Sequence, residues 1–215
     1  MEVATKFPIT ALERAELGPE LVRFPGSWDE FWELLDEAEY SVEFKNNEII
    51  TAMSWESDPH SHIANMIGTL FNMIFMDDDS IRVFNSNRPI YIRESGAVYN
   101  PDASVVRQPS IKYEYRPGLN AETTPIIVAE VLSKSTRDHD LEEKLPDYKT
   151  IPGLEHIIYI ENFMPYVTVF SRNLETGKWT NIVYDELDSG FEIAGQPITL
   201  RQIYRKVQFV KKPRS

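Results

Sequence analysis

The sequence predicts a mixed α/β domain, a central sheet flanked by helices. Three observations lead there. Helical and strand-like segments follow in the order α, β-rich, α, β-rich, α, a pattern of one sheet covered by helices. The chain has 215 residues, 42% of them hydrophobic, enough for the core of one domain. Two acids, Asp102 and Glu130, each interrupt an apolar, β-branched run of the kind that becomes a buried strand.

Residues 1–26 contain Pro8, Pro19 and Pro25 with little periodicity and read as an irregular N-terminal arm; residues 27–215 read as a single domain. Ser27, with Glu30 three residues on, makes a capping box for a helix whose apolar face holds Trp28, Phe31, Trp32 and Leu35. Residues 40–50 alternate around Asn46-Asn47 and predict a hairpin, because Asn tolerates positive φ. Between His60 and Met76, Ile63, Met66, Ile67, Leu70, Met73 and Ile74 repeat at helical spacing, and Asp77-Asp78-Asp79 follows.

Strands are expected at 81–85, 88–93, 102–107 and 125–133, with a loop over 108–124 containing Pro109, Pro117 and Gly118. Residues 138–151 look helical. An interior Pro146 would cost about 3 kcal/mol, so a break or a second short helix starting near it is expected. Strands recur at 156–161, 166–171 and 179–185, the last two joined by a hairpin loop at Glu175-Thr176-Gly177. A turn at Gly195-Gln196-Pro197 precedes a helix over 200–207, capped by Thr199.

The chemistry starts from the two acids. An ionised carboxylate in an apolar strand is costly unless it is paired or binds a metal. Two acids converging from neighbouring strands make a hard oxygen site of the kind Mg²⁺ prefers. That is the outline of a metal-dependent phosphodiester-cleaving centre. The rest of the composition narrows the setting. No stretch approaches the roughly 20 apolar residues of a membrane helix, so no membrane partner is expected. The N-terminal segment lacks a basic region followed by an apolar one, which argues against a secretory signal. The chain has no cysteine, which excludes disulfides and thiolate metal sites and is compatible with a cytoplasmic location. A net charge of −12 counts against a general nucleic-acid binder but leaves room for a nuclease with a local basic stripe or bound metal. The notable positive cluster, Arg201, Arg205, Lys206, Lys211, Lys212 and Arg214, reads as a solvated terminus.

Longer strings carry a family resemblance. Pro101-Asp102 followed by Glu130-Val131-Leu132 resembles the PD-(D/E)XK nuclease superfamily. Glu130-Val131-Leu132-Ser133-Lys134-Ser135-Thr136, then Asp140, Lys144, Tyr148 and Ile151-Pro152-Gly153-Leu154-Glu155, resembles a bacterial family described as putative restriction endonucleases. Glu43 near the Asn-rich turn, His60 before Ile63, and Ile198-Thr199-Leu200-Arg201-Gln202-Ile203-Tyr204 extend the likeness to about residues 38–207.

The resemblance implies a restriction-endonuclease-like core with additional antiparallel strands. It implies Mg²⁺, with Mn²⁺ as an alternative, held by Asp102, Glu130 and the Val131 carbonyl. It implies DNA as partner, and the class makes a homodimer plausible. The sequence departs from the superfamily at the motif lysine, whose place is taken by Leu132. A leucine cannot donate to phosphate, so another lysine must substitute or activity is lost. Lys144 is the first candidate, against a plain i, i+4 pair with Asp140. Lys134 is the second, if the strand runs on past Ser133. Glu43 would complete the carboxylate cluster, or be an exposed strand residue. His60 lines the cleft or caps the helix; His60-x-His62 lacks a third zinc ligand. Ser133, Ser135 and Thr136 meet phosphate or cap the next helix, Tyr148 reads as packing, and Arg137 as a surface arginine. The leading expectation is a Mg²⁺-dependent endonuclease hydrolysing DNA. Its competitors are an inactive nuclease-like scaffold for protein or nucleic-acid binding, and a metal-dependent hydrolase of a small phosphorylated molecule.

Overall fold

A computed structural model describes residues 7–52 and 57–209. The N-terminal arm is not irregular. Thr10 and Glu13 form a capping box for helix α1 (Ala11–Glu16), and strand β1 (Val22–Pro25) follows. Arg14 on α1 is fully buried. Its guanidinium donates to Thr51 Oγ1 at 2.5 Å, the Thr51 carbonyl at 2.9 Å, the Glu20 carbonyl at 2.8 Å and the Gly18 carbonyl at 3.1 Å. A buried charge is tolerable when its donors are met in this way. The arm's prolines and glycine shape its turns; its order comes from partners distant in sequence.

Helix α2 (Trp28–Glu37) is capped by Ser27 and Glu30 as predicted. Strands β2 (Val42–Lys45) and β3 (Glu48–Thr51) form the predicted hairpin, with Asn46 and Asn47 at φ 52° and 60°. Helix α3 (Asp58–Phe75) takes Ser57 as its N-cap and stops before the Asp77-Asp78-Asp79 run. Its inward residues are Ile63, Ile67, Leu70 and Phe71; Met73, expected on the apolar face, is exposed.

Strands β4 (Ile81–Asn85), β5 (Ile90–Ile92), β6 (Ala97–Tyr99) and β7 (Ala103–Arg107) come next. The expected loop over 108–124 is instead a hairpin, β8 (Lys112–Arg116) and β9 (Leu119–Glu122). Its turn is Pro117-Gly118, with Gly118 at φ 86°, the proline-then-glycine arrangement that a tight turn favours. Lys112 to Arg116 alternate Tyr113 and Tyr115 inward, a strand pattern that the surrounding prolines obscure in the sequence. Strand β10 (Pro125–Leu132) leads to a π-helical turn, His139–Lys144, then to α4 (Leu145–Tyr148) with Pro146 in its first turn. Strands β11 (His156–Glu161), β12 (Val167–Arg172), β13 (Trp179–Tyr184), β14 (Gly190–Ile193) and β15 (Gln196–Thr199) follow, then α5 (Leu200–Ile203) capped by Thr199. The turn of the β14–β15 hairpin is Ala194-Gly195, so Gln196 and Pro197 belong to the strand. Helix α5 is shorter than the predicted 200–207, and Lys211, Lys212 and Arg214 lie outside the described residues.

The strands form two large sheets and a small hairpin. Their orders are β1-β3-β2-β6-β5-β9-β8, β13-β12-β11-β10-β7-β4, and β14-β15. Both large sheets are mixed, with β10 parallel to β11 and β5 parallel to β9. One face of β10 (Ile127, Ala129, Val131) joins the core under α3. The other face buries Val128 and Leu132 against Tyr148 and Ile151. Glu130 lies between Val128 and Leu132 on this face and is only 3% exposed. An aromatic core under α2, including Phe31, Trp32 and Phe44, covers the first sheet. Trp32 and Tyr115 stack at 5.4 Å with an interplanar angle of 6°.

Candidate functional site

A cleft of about 1080 Å³ lies where the two sheets meet, and it gathers Glu43, Asp102, Glu130, Lys144 and His60. Each comes from a different element. Glu43 is on β2 of the first sheet, where strand alternation puts Val42 and Phe44 in the aromatic core and leaves Glu43 on the other face. Asp102 immediately precedes β7, and Glu130 lies near the C-terminal end of β10. Lys144 ends the π-helical turn.

A π turn bonds i to i+5, a widening often found at functional sites. Here it brings His139, Asp140 and Lys144 to the buried side together. Lys144 Nζ lies 2.8 Å from Glu43 Oε1, 3.0 Å from Asp140 Oδ1 and 3.2 Å from Glu130 Oε1. An ammonium has three donors, and all three have a carboxylate. The pair with Asp140 and the approach to Glu130 are therefore both present. Lys134 is exposed on the rim of the cleft.

Glu43 is buried. Its Oε1 accepts from the Asn100 amide at 2.9 Å and its Oε2 from His139 Nε2 at 2.7 Å. Arg23 of β1 donates to His139 Nδ1 at 3.3 Å, so the tautomer with its proton on Nε2 satisfies both contacts. Arg23 also pairs with Glu143. The N-terminal arm thus supports the site. Tyr148, expected to be mere packing, donates to Glu130 Oε1 at 2.7 Å. The Lys45–Asp147 pair at 3.0 Å and the Tyr99 hydroxyl on Asp147 at 2.6 Å brace the adjoining helix.

The Val131 amide donates to Asp102 Oδ2 at 2.7 Å, and His60 Nε2 lies 3.5 Å from the same oxygen. His62 Nε2 is instead 2.7 Å from the Arg205 carbonyl, so the two histidines do not form a pair at the cleft. The Ser133 hydroxyl accepts from the Thr136 amide at 3.2 Å and lies 3.1 Å from Ser135 Oγ, the capping arrangement expected after a strand. Arg137 is tied to Glu161.

The carboxylates differ electrostatically. For Glu43, burial pushes the pKa up, but Lys144 and the His139 hydrogen bond outweigh it and bring it down to about 2. For Asp102, burial dominates over His60, the Val131 amide and Lys144, and the pKa rises to about 6. For Glu130, burial together with Asp140, Asp102 and Glu43 outweighs Lys144 and raises it well above the ordinary range. Burial works to lower the Lys144 pKa, yet Asp140, Glu130 and Glu43 raise it well above the usual lysine value, so it stays protonated.

Among the described residues, no three His, Asp or Glu side chains form a ready-made metal cage. The donor set still fits a hard cation. Asp102 and Glu130 both border the cleft, and for both burial disfavours the ionised form more than the surrounding groups offset. Asp102 Oδ1 and Glu130 Oε2 accept no hydrogen bond from the described residues. Mg²⁺ characteristically takes one or two carboxylates and completes its shell with water and substrate oxygens.

A family model described as Uma2, putative restriction endonuclease, matches residues 28–201. The chain belongs to the Uma2 family. Two Synechocystis proteins, both named as uncharacterized, are similar to it. One, sll1609, is 28% identical over 134 residues, covering 62% of this chain and 73% of that protein. The other, slr1290, is 28% identical over 161 residues, covering 74% of this chain and 82% of that protein. Among solved structures, a crystal structure titled as a putative nuclease belonging to DUF820 from Anabaena variabilis superposes with a TM-score of 0.61. It shares 18% identity, over 79% of this chain and 96% of that one. The nuclease-like fold expected from the sequence is therefore present, and family and fold together support a nuclease function.

Proposed function

We propose that this Uma2 protein is a Mg²⁺-dependent endonuclease that hydrolyses DNA phosphodiester bonds. One observation carries the reading: Lys144, at the end of the π-helical turn that follows the motif strand, reaches Glu130 in the cleft that also holds Asp102. The lysine missing at Leu132 is supplied from the helix that packs on that face of the strand.

In this reading Asp102 and Glu130 hold the cation, with the Val131 carbonyl as a further ligand and Mn²⁺ as an alternative ion. When bound, the ion supplies Lewis acidity at the phosphate and lowers the pKa of a nucleophilic water. Lys144 acts as a fixed positive charge beside the scissile phosphate, kept protonated by its carboxylate neighbours Asp140, Glu130 and Glu43. Glu43 and Asp140 hold the ammonium at Glu130, and His139 holds Glu43. Glu130 would share its charge between Lys144 and a bound cation, and Glu43 and Asp140 would keep the ammonium in place as a positive charge at the cleft. Burial of the carboxylates keeps bulk water from screening these charges. A homodimer would let paired sites cut both strands.

Calorimetric titration of Mg²⁺ and Mn²⁺ into the wild type and Asp102→Asn, with plasmid cleavage on the same samples, tests the proposal. The expected result is binding and cleavage in the wild type and loss of both in the variant. A wild type that binds neither ion would overturn it in favour of an inactive scaffold. Metal-dependent hydrolysis of free nucleotides without plasmid cleavage would replace DNA by a small phosphorylated substrate.

A further inference from the structure

The hydrolytic reading leaves one part of the cleft unused. Phe163 and Met164 border it and are 57% and 41% exposed. Their place follows from the sheet. Strands β10 and β11 are parallel, with Leu132 opposite Glu161. The two chains therefore leave the sheet side by side, at the end of β10 that carries Glu130. Ser133, Lys134 and Ser135 emerge on one strand, and Asn162, Phe163 and Met164 on the other. All six border the cleft. A phenylalanine held more than half in water gains little from burial in the core. Its ring is available to a flat apolar ligand.

Charge narrows the ligand. Among the described residues, Lys134, Lys144, His60 and His139 border the cleft, against the acids Glu20, Glu43, Asp102, Glu130 and Asp140. The Lys144 donors are all engaged, and the nearby Arg137 is tied to Glu161. That leaves Lys134 as the exposed cation of the cleft among the described residues. A groove that tracks duplex DNA draws its affinity from several such cations. One exposed lysine, neighbouring hydroxyls and an exposed ring suit a single phosphate with a single unstacked base. Base–aromatic stacking is the usual sequence-tolerant way to hold such a nucleotide.

We propose that Phe163 is a stacking platform for a nucleobase lying outside the duplex stack, with Lys134 and Ser135 meeting its adjoining phosphate. This deepens, and rests on, the nuclease reading above. The substrate class is then DNA with an unpaired or extruded nucleotide, whether in a single strand or at a mismatch in a duplex.

Anisotropy titrations of the full chain with a labelled thymidylate oligonucleotide, a matched duplex and a mismatched duplex, each in EDTA and in Mg²⁺, test this. Phe163→Ala should weaken single-strand and mismatch binding about tenfold or more and leave the matched duplex unchanged. Because the side chain is exposed, the variant should keep the wild-type melting temperature. Phe163→Trp should gain emission that the oligonucleotide quenches, a sign of stacking that a structural role would not produce. The log–log salt dependence should have a slope of about −1, lost in Lys134→Ala. Preference for the single strand over the mismatched duplex, or the reverse, identifies which source is used. If Phe163→Ala binds single strands as tightly as the wild type, or weakens the matched duplex equally, the stacking proposal is wrong and the nuclease reading survives. If the wild type binds none of the three with or without Mg²⁺, the nuclease reading falls and takes the stacking proposal with it.

Discussion

Glu43 and Asp102 are both buried carboxylates in one cleft, yet the protein treats them in opposite ways. Glu43 accepts from Lys144, His139 and the Asn100 amide, and its pKa is held down to about 2. Asp102 accepts one amide, has His60 at a longer distance, and is pushed up to about 6. Glu130 lies on the Asp102 side of this divide even though Lys144 and Tyr148 touch it. The difference separates a carboxylate that organises the site from two whose ionised forms the protein does not fully offset against burial. Undercompensated charge of this kind costs stability and is found where function requires it.

The largest effect that bears on the comparison is expected at Lys144. Lys144→Met leaves Glu43, Glu130 and Asp140 buried without their cation, and breaking a buried ionic network of this sort costs about 3–5 kcal/mol. Urea denaturation should show a large drop in midpoint, and an unchanged midpoint would mean the carboxylates are compensated by something else.

Two substitutions with the same chemistry should then differ in sign. Glu43→Gln should destabilise at pH 7 by up to about 3 kcal/mol, from the depressed pKa. Asp102→Asn should stabilise in EDTA by up to about 3 kcal/mol, because an uncharged side chain replaces one that burial disfavours and can still accept from Val131. Equal signs for the pair would undo the distinction drawn here.

The pH dependence sharpens it further. Glu43 contributes stability that is present above its unfolded pKa of about 4.5 and lost as pH falls toward its folded value of about 2. Asp102 contributes the reverse. Its raised pKa makes the protein more stable as pH falls from about 6 toward its unfolded value of about 4. In EDTA, the stability gain of the wild type on acidification over that upper window should be smaller in Asp102→Asn, and the acid limb should shrink in Glu43→Gln. Denaturation series across pH would read both. The smallest effect belongs to Tyr148→Phe, which removes one hydrogen bond to Glu130 at a cost of about 1 kcal/mol and should raise the Glu130 pKa further, measurable by carboxyl NMR.

Much of this site was legible from local sequence. Asp102 and Glu130 stood out because a charge inside an apolar strand demands an explanation, and Lys144 because the motif strand carried Leu132 where a lysine was expected. Capping boxes at Ser27 and the Asn46-Asn47 turn were equally visible, since the residues that make them are neighbours in the chain. What stayed hidden depended on distant partners. Arg14 and Arg23 sat among prolines and glycines, and nothing local indicates that one is buried against Thr51 and the other touches His139. The Pro117-Gly118 hairpin had a readable turn but was masked by surrounding breakers. Tyr148 belonged to the family string, yet its bond to Glu130 needs the π turn that resets the helix face.

By itself the sequence determined the mixed α/β class, most helices and strands outside the N-terminal arm and the 108–124 segment, the family and the identity of the acids, because hydrophobic period, caps and turn chemistry act over a few residues. Only the tertiary structure decided which carboxylate is neutralised and which is left exposed to burial. Those energies depend on distances of about 3 Å between groups from separate elements, and on the loss of water around them. Two sheets had to meet before Glu43 could take up Lys144 and leave Asp102 undercompensated.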